Sequence, residues 1–588
     1  MYKEFYIHKR SNTYAETLEA FGVAILIEQI LERLDVVGRK VIVEDKGLYH
    51  MITTNKEITD QMLDTLSYFQ IIKFIIKDNS TTLPENIGNS ACFDYPAQKA
   101  IVDNIKERKN QALAIKDVDL RKKEYLKVIE EQLSEFGEKI DAEFDVYREI
   151  KGNPYASFTK LYLNLHEHQD RFSNLIREIL SHYALLPVTS RSFRLVDEKP
   201  TAQQLFNPNQ GKGLNKSKAN NASMGNLKSS WIAETMKMSG ALKMMSVQYV
   251  KVGSGYDLKV YVPEFNHIQL SKGIKLITEF KRHLKSASPI KLDIINILNL
   301  TIEFIKQTPD YKKGRIKDTI KGFHSVYQKD LGQNKAVANI SFINTPEFIT
   351  YSNREEGHEW IDILESQKNI IKGIEEKGDS TQGLQNYRNF LGSVGNAALE
   401  YFAKFSYWYA SYVMHSLDRE KYYVKPFKAE TLTKLYTCMD SNLTEIIQNE
   451  GFQAVAQAIR RSTVTLQYTP KENRKFEIRY GLAQQLQNKS KSKDDLATFV
   501  GEFVTRYNAE LANKVDTLIK GGITSQNAAK SLGRANVKDT ELLQLYALLD
   551  NHPPHLIGAL LASYGFALTK KEAPKEETTS TEDIETEN

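Results

Sequence analysis

The sequence predicts an α+β protein, predominantly α, with a mixed N-terminal and central region followed by a C-terminal helical bundle. Two observations lead there. Short apolar runs bounded by turn residues recur up to Ile343, whereas apolar residues beyond Thr381 fall almost entirely at spacings of three and four. A hydrophobic share of 41% with 26% charged residues is ordinary for a globular chain, and 588 residues suffice for about three or four domains. The pattern divides at 1–200 (mixed α/β, then helical), 201–380 (central), 381–569 (helical bundle) and 570–588 (an acidic, disordered tail).

Taken in order, Leu18, Phe21, Ile25, Leu26 and Ile30 place a helix over Thr13–Leu34. Lys40–Glu44 reads as a strand, and Asp45-Lys46-Gly47 as a turn into a second strand, Leu48–Thr53. A helix is expected over Glu57–Leu66 and a strand over Phe69–Ile76. From Tyr95 to Tyr183 the pattern is helical and heavily charged, with Arg121–Ile150 reading as a solvated face. A helix over Leu227–Leu242 precedes a hairpin, Met244–Lys251 and Tyr256–Val262, turning at Gly253-Ser254-Gly255. Helices follow at Ile274–Leu284, Leu292–Ile305 and Glu356–Glu375, with a strand at Ala336–Ile343. Phe402, Phe405, Tyr409 and Tyr412 share one helix face and read as core. The remaining helices are expected at Ala429–Gln448, Ala454–Ser462, Ile478–Gln487, Asp494–Leu518, Ser525–Leu532, Thr540–Asp550 and Pro554–Phe566.

The chain is organised around Phe206–Trp231, a span too poor in apolar side chains to bury itself. No acid occurs between Glu198 and Glu234, while Lys212, Lys216, Lys218 and Lys228 lie inside. Lysines attract phosphate regardless of sequence, and amides carry both a donor and an acceptor for base edges. Asn207, Asn209, Gln210, Asn215, Asn220 and Asn221, with Ser223 beside them, are the candidate readers; Lys212, Lys216 and Lys218 are the candidate phosphate contacts. The competing reading is a solvated linker, since Asn, Gly, Ser and Lys are also linker residues. A P-loop is excluded, because Gly211-Lys212 is followed by Gly213 rather than Ser or Thr and position 206 is Phe. A second basic stretch runs from Arg460 to Lys493, nine bases against Glu472 and Glu477, densest at Arg460, Arg461, Arg474, Lys475 and Arg479. It reads either as a solvated helix end or as a second phosphate track.

The totals narrow the classes. The tail from Glu572 has seven acids against Lys575, a net of −6 that leaves +11 for the rest of a chain whose overall charge is +5. A basic body suits an anionic partner. Cys92 and Cys438 alone provide neither a disulfide framework nor a cysteine zinc site, which suits a reducing, cytoplasmic setting. His166-Glu167-His168 lacks the HExxH spacing, as does His358-Glu359, so no metal, cofactor or catalytic centre is expected.

FNPNQGKGLNKSKANNAS at 206–223, AIRRSTVTLQY at 458–468 and EIRYGLAQQL at 477–486, in this order, resemble the large subunit of a type I CRISPR surveillance complex (Cascade), nearest subtypes I-A and I-B. The resemblance implies a non-catalytic subunit that recognises the protospacer-adjacent motif on target duplex DNA and supports duplex opening and R-loop formation. Guide RNA in the same complex reads the sequence. The implied partners are the other subunits and a separate helicase-nuclease, in keeping with the absence of a His-Asp dipeptide, or alternatively transposon recruitment proteins. It further implies a small subunit translated from Met439, a fragment of 150 residues that a mass spectrum of the complex would reveal. A helical scaffold of a multiprotein complex without DNA readout is the alternative.

Overall fold

The computed structural model describes residues 1–185 apart from 86 and 153, and then 203–209, 229–252, 255–308, 316–332 and 335–569. It is predominantly helical with small sheets. Compactness divides it into two units: residues 1–289, 299–308 and 314–345, and residues 290–298, 309–313 and 346–588. No helix among the described residues is long and apolar enough to cross a membrane.

The first unit is built on the helix Ala15–Arg33, whose Leu18, Phe21, Leu26 and Ile30 are fully enclosed. It crosses the helix Trp231–Met244 at backbone contact. A Cβ at Gly22 would fall 1.8 Å from the Met236 carbonyl oxygen, and one at Gly240 2.0 Å from that of Leu18. Only glycine at both positions permits the approach. One antiparallel sheet comprises β1 (Tyr2–His8), β2 (Val41–Asp45), β3 (Tyr49–Ile58) and, from far along the chain, a three-residue strand His267–Gln269; its order is β1, β3, β2, then that strand. A parallel pair joins β4 (Phe74–Ile76) to β5 (Cys92–Asp94). The second antiparallel sheet contains β6 (Ser246–Val252) and β7 (Gly255–Phe265), then, with His267–Gln269 taken as β8, β9 (Ile320–Asp330) and β10 (Lys335–Asn344), in the order β10, β9, β7, β6.

Several expectations need correction. The helix expected over Glu57–Leu66 shrinks to Asp60–Asp64, because β3 runs on to Ile58 and pairs it with Tyr2. The strand expected over Phe69–Ile76 pairs only from Phe74, although Phe69, Ile71 and Ile72 are buried. Arg121–Ile150 is not one solvated face: after the helix Val118–Glu135, the helix Phe144–Ile150 buries Val146, Tyr147 and Ile150 completely. β1 and β9 had no counterpart in the sequence reading.

The second unit is a helical assembly around aromatic rings. Phe402, Phe405 and Tyr409 of the helix Gly395–Asp418 are enclosed, as the stripe implied. Tyr387, Phe390, Phe427 and Tyr436 pack on them with centroids 4.7–6.5 Å apart. The Tyr409 hydroxyl donates to the Lys425 carbonyl at 2.6 Å, so the rings of Phe402, Phe405 and Tyr409 present no free face for a base, whereas Tyr412 is half-buried. The helix expected over Ala429–Gln448 is two, Ala429–Met439 and Leu443–Gln448, broken where Asp440 Oδ1 accepts from the Asn442 amide.

Candidate nucleic-acid interface

The span singled out in the sequence is fixed at both ends by one buried polar network. Glu234 and Lys237 lie one turn apart on the helix Trp231–Met244, 0% and 6% exposed, with 3.0 Å between Oε1 and Nζ. Asn207 Nδ2 donates to both Glu234 carboxylate oxygens at 3.0 Å and to the Gln203 carbonyl at 2.9 Å, while its Oδ1 accepts from Lys237 Nζ at 2.8 Å. On the far side of the span, Ser229 Oγ takes a further bond from Lys237 at 3.2 Å, and Ser230 caps the helix by accepting from the Ala233 amide. Phe206, fully buried, lies edge-on to Phe158, and the Tyr14 hydroxyl donates to the Leu205 carbonyl. Asn207 and Ser229, on either side of 210–228, are therefore held by one network.

The electrostatics keep Lys237 charged. Burial opposes the Lys237 charge, but Glu234 and Glu19 outweigh it and hold its pKa above the ordinary value. Burial raises the Glu19 carboxyl, against Lys237 and the hydrogen bond from the Tyr183 hydroxyl at 2.8 Å. An ion pair this enclosed is costly to break from one side, about 3–5 kcal/mol.

Of the residues expected to touch DNA, Asn207 is therefore corrected: at 1% exposure it is an anchor inside the fold and faces no solvent. Asn209 is half-buried at the edge of the anchor, its Oδ1 enclosed and without a hydrogen-bond partner among the described residues. Gln210, Lys212, Asn215, Lys216, Lys218, Asn220, Asn221 and Ser223 lie outside the described residues.

The C-terminal basic stretch is drawn together differently from the expected track. Arg460 is also corrected: it is 4% exposed and its Nη2 donates to the Tyr564 carbonyl at 2.8 Å. Arg474, half-buried, spends Nε and Nη2 on the Thr469 and Gln467 carbonyls. Arg479 lies 3.5 Å from Glu510 and 5.2 Å from the Phe503 ring centroid. Exposed Lys475 donates to the Ser531 carbonyl. Arg461 is half-buried, and its carbonyl accepts from Arg534. Arg534, which the sequence reading missed, is the centre of this group. Its guanidinium sits 3.4 Å from the Phe476 centroid and donates to Glu510 at 3.1 Å, at 8% exposure. Nothing local in SLGRANV marks it.

A second buried network, also unmarked in the sequence, lies in the first unit. Asp45, His50 and Glu264 come close enough to share a metal ion. Lys9 Nζ already lies 2.7 Å from both carboxylates, Lys321 also pairs with Asp45, and Thr17 donates to Glu264 at 2.6 Å. A divalent cation would have to displace two ammonium groups. Burial opposes the Glu264 charge, yet the His324 hydrogen bond and the charges of His50, His324 and Lys9 hold the carboxyl well below its ordinary range. Burial lowers His50 to about 4. The network joins β2 and β3 of one sheet to β7 and β9 of the other.

No known protein family matches the chain, and no curated protein does.

Proposed function

We propose that the chain is a non-catalytic, DNA-binding large subunit of a type I CRISPR RNA-guided surveillance complex. In this reading it recognises the protospacer-adjacent motif and supports duplex opening. The observation that carries the reading is the anchor: an acid-free, amide- and lysine-rich span has both ends held by the buried Asn207–Glu234–Lys237 network. Confining the ends reduces the ordering that binding must impose on the chain. The sequence resemblance at 206–223, 458–468 and 477–486 supplies the family. Its partners in this reading are target duplex DNA, guide RNA, the other subunits and a recruited helicase-nuclease or transposition machinery.

The test uses the assembled guide-RNA complex and a motif-bearing duplex over a range of salt. Four lysines in the span contribute up to about 3.6 to the logarithmic salt slope. Lys212→Ala with Lys216→Ala should weaken every duplex alike and lower that slope by about 2. Unchanged duplex binding by this variant rejects the reading. The alternative, a helical scaffold without DNA readout, is favoured for the second unit by Arg460, Arg474 and Arg534, which are engaged inside the fold.

A further inference from the structure

A separate set of cations in the first unit surrounds an open, shallow cleft of about 450 Å³. The cleft opens between the turn after β4, the first turn of the helix Tyr95–Leu113 and the end of the helix Phe144–Ile150. Lys77, Lys99 and Lys151 line it together with Asp78, Ser80 and Tyr95. Lys151 Nζ lies 4.3 Å from the Tyr95 ring centroid, and Lys77 Nζ lies 4.9 Å from that of Tyr155. Beside them the Arg148 guanidinium sits 4.3 Å from the Tyr249 centroid, with its Nε buried and unpartnered among the described residues.

The arrangement differs from an ordinary solvated charge cluster in how its cations are held. Tyr95 is 4% exposed and stacked on Phe144, centroids 5.4 Å apart and planes 5° from parallel, so the ring under Lys151 is rigid. An aromatic face attracts an ammonium without using its three hydrogen-bond donors. Lys151 has no carboxylate within ion-pair distance among the described residues. The nearest acid to Lys77 is Asp78 at 3.7 Å, too far for a hydrogen bond and in solvent. The other Asp78 oxygen is taken by its own turn, accepting from the Ser80 amide and hydroxyl at 3.0 and 2.6 Å. Lys99 is paired with Asp103. Two ammonium groups thus reach the cleft from different walls, each beside an aromatic ring and with donors to spare.

We propose that this cleft binds phosphate, and that its occupant is a phosphodiester group of a nucleic-acid strand. The open cleft suits a passing backbone. Tyr95 is 4% exposed, so no base stacks on it and the contact is independent of sequence. The choice of a strand over a free nucleotide rests on the function proposed above; the phosphate chemistry is common to both.

The experiment titrates the purified full-length chain with a labelled single-stranded oligonucleotide lacking the motif, at several salt concentrations. Inorganic phosphate and a nucleoside monophosphate are titrated in parallel. Lys77→Gln with Lys151→Gln should weaken strand binding about tenfold or more and lower the salt slope by about 1–2. Lys77→Arg with Lys151→Arg should retain it. Wild-type affinity in the Gln pair, or an equal loss in the Arg pair, overturns the proposal. A monophosphate that binds as tightly as the strand overturns the strand assignment. Lys212→Ala with Lys216→Ala, run beside these, separates the two claims: if that variant alone loses binding, the cleft is rejected and the span stands. If the Gln pair alone loses strand binding, the cleft stands, and the span is decided by the duplex assay on the assembled complex.

Discussion

Asn207→Ala distinguishes an anchor from a base reader. The side chain is 1% exposed and makes hydrogen bonds to two buried charged groups, Glu234 and Lys237, and to the Gln203 carbonyl. A hydrogen bond to a charged group contributes about 1.5–3 kcal/mol. Glu234 and Lys237 retain each other at 3.0 Å after truncation, so the loss should be about 3 kcal/mol, a large part of the ~5–15 kcal/mol of a typical fold. Trp231 is the single tryptophan of the first unit and begins the helix that bears both charges, whereas Trp360 and Trp408 belong to the second. Fluorotryptophan labelling and fluorine NMR through a urea titration therefore report each unit separately. The Trp231 resonance should unfold at lower urea, with the other two unmoved. A base reader would behave oppositely, keeping its stability and relaxing motif choice at one position by about 1–3 kcal/mol. A loss below about 0.5 kcal/mol at Trp231, the range of ordinary surface substitutions, refutes the anchor.

Two other perturbations address the remaining buried groups. His50 titrates near 4 in the fold against 6.5 unfolded, so the unfolded chain takes the proton first and stability falls by about 3 kcal/mol as pH drops from about 6.5 to 4. Glu264, depressed in the fold, holds its contribution above about pH 4.5 and loses it only below; His50→Gln should thus flatten urea midpoints between pH 4.5 and 6.5 alone, and an unchanged profile refutes this. Arg534→Lys should destabilise the second unit by about 2 kcal/mol at the Trp360 and Trp408 resonances, because an ammonium cannot both lie on Phe476 and donate to Glu510 and the Arg461 carbonyl. No shift at either resonance refutes it.

Periodic elements were legible because their signal is local. Ser525–Leu532 has the bounds expected of it, and Ala15–Arg33 and Trp231–Met244 differ from expectation by a few residues. β1 was not, because YKEFYIH turns only Phe5 and Ile7 inward, and its extended state is set by pairing with β3. β8 has three residues and exists through its register with Ile42–Glu44. The anchor was partly legible. Glu234 and Lys237 stand three apart on a helix, WIAETMKMSGALKM, that is otherwise apolar but for Thr235, Ser239 and Lys243, and such a pair, once enclosed, requires a polar partner. The partner lies 27 and 30 residues earlier, beyond any local pattern. Arg460 follows Phe452, Val455, Ala456 and Ile459 on the buried side of its helix, a position that counting charges conceals.

The chemistry of the two cations argues for where a nucleic acid would act. Arginine's planar fork fits carbonyls, carboxylates and rings at fixed angles. In the second unit Arg460, Arg474 and Arg534 are committed to such partners, so they contribute shape rather than available charge. Lysine is a point charge on a flexible stem and suits a phosphate whose position varies. In the proposed reading the available charge is lysine: four residues in the span, which contains no acid, and Lys77 and Lys151 in the cleft. Both belong to the first unit. The anchor supplies what the lysines lack. An apolar joint of similar volume would hold the ends of the span equally well and avoid the desolvation of two ions. The Asn207–Glu234–Lys237 set satisfies all its donors and acceptors in one arrangement, so the span departs from a single defined point. In the proposed reading, non-directional electrostatic attraction then acquires a register, which reading a short motif requires.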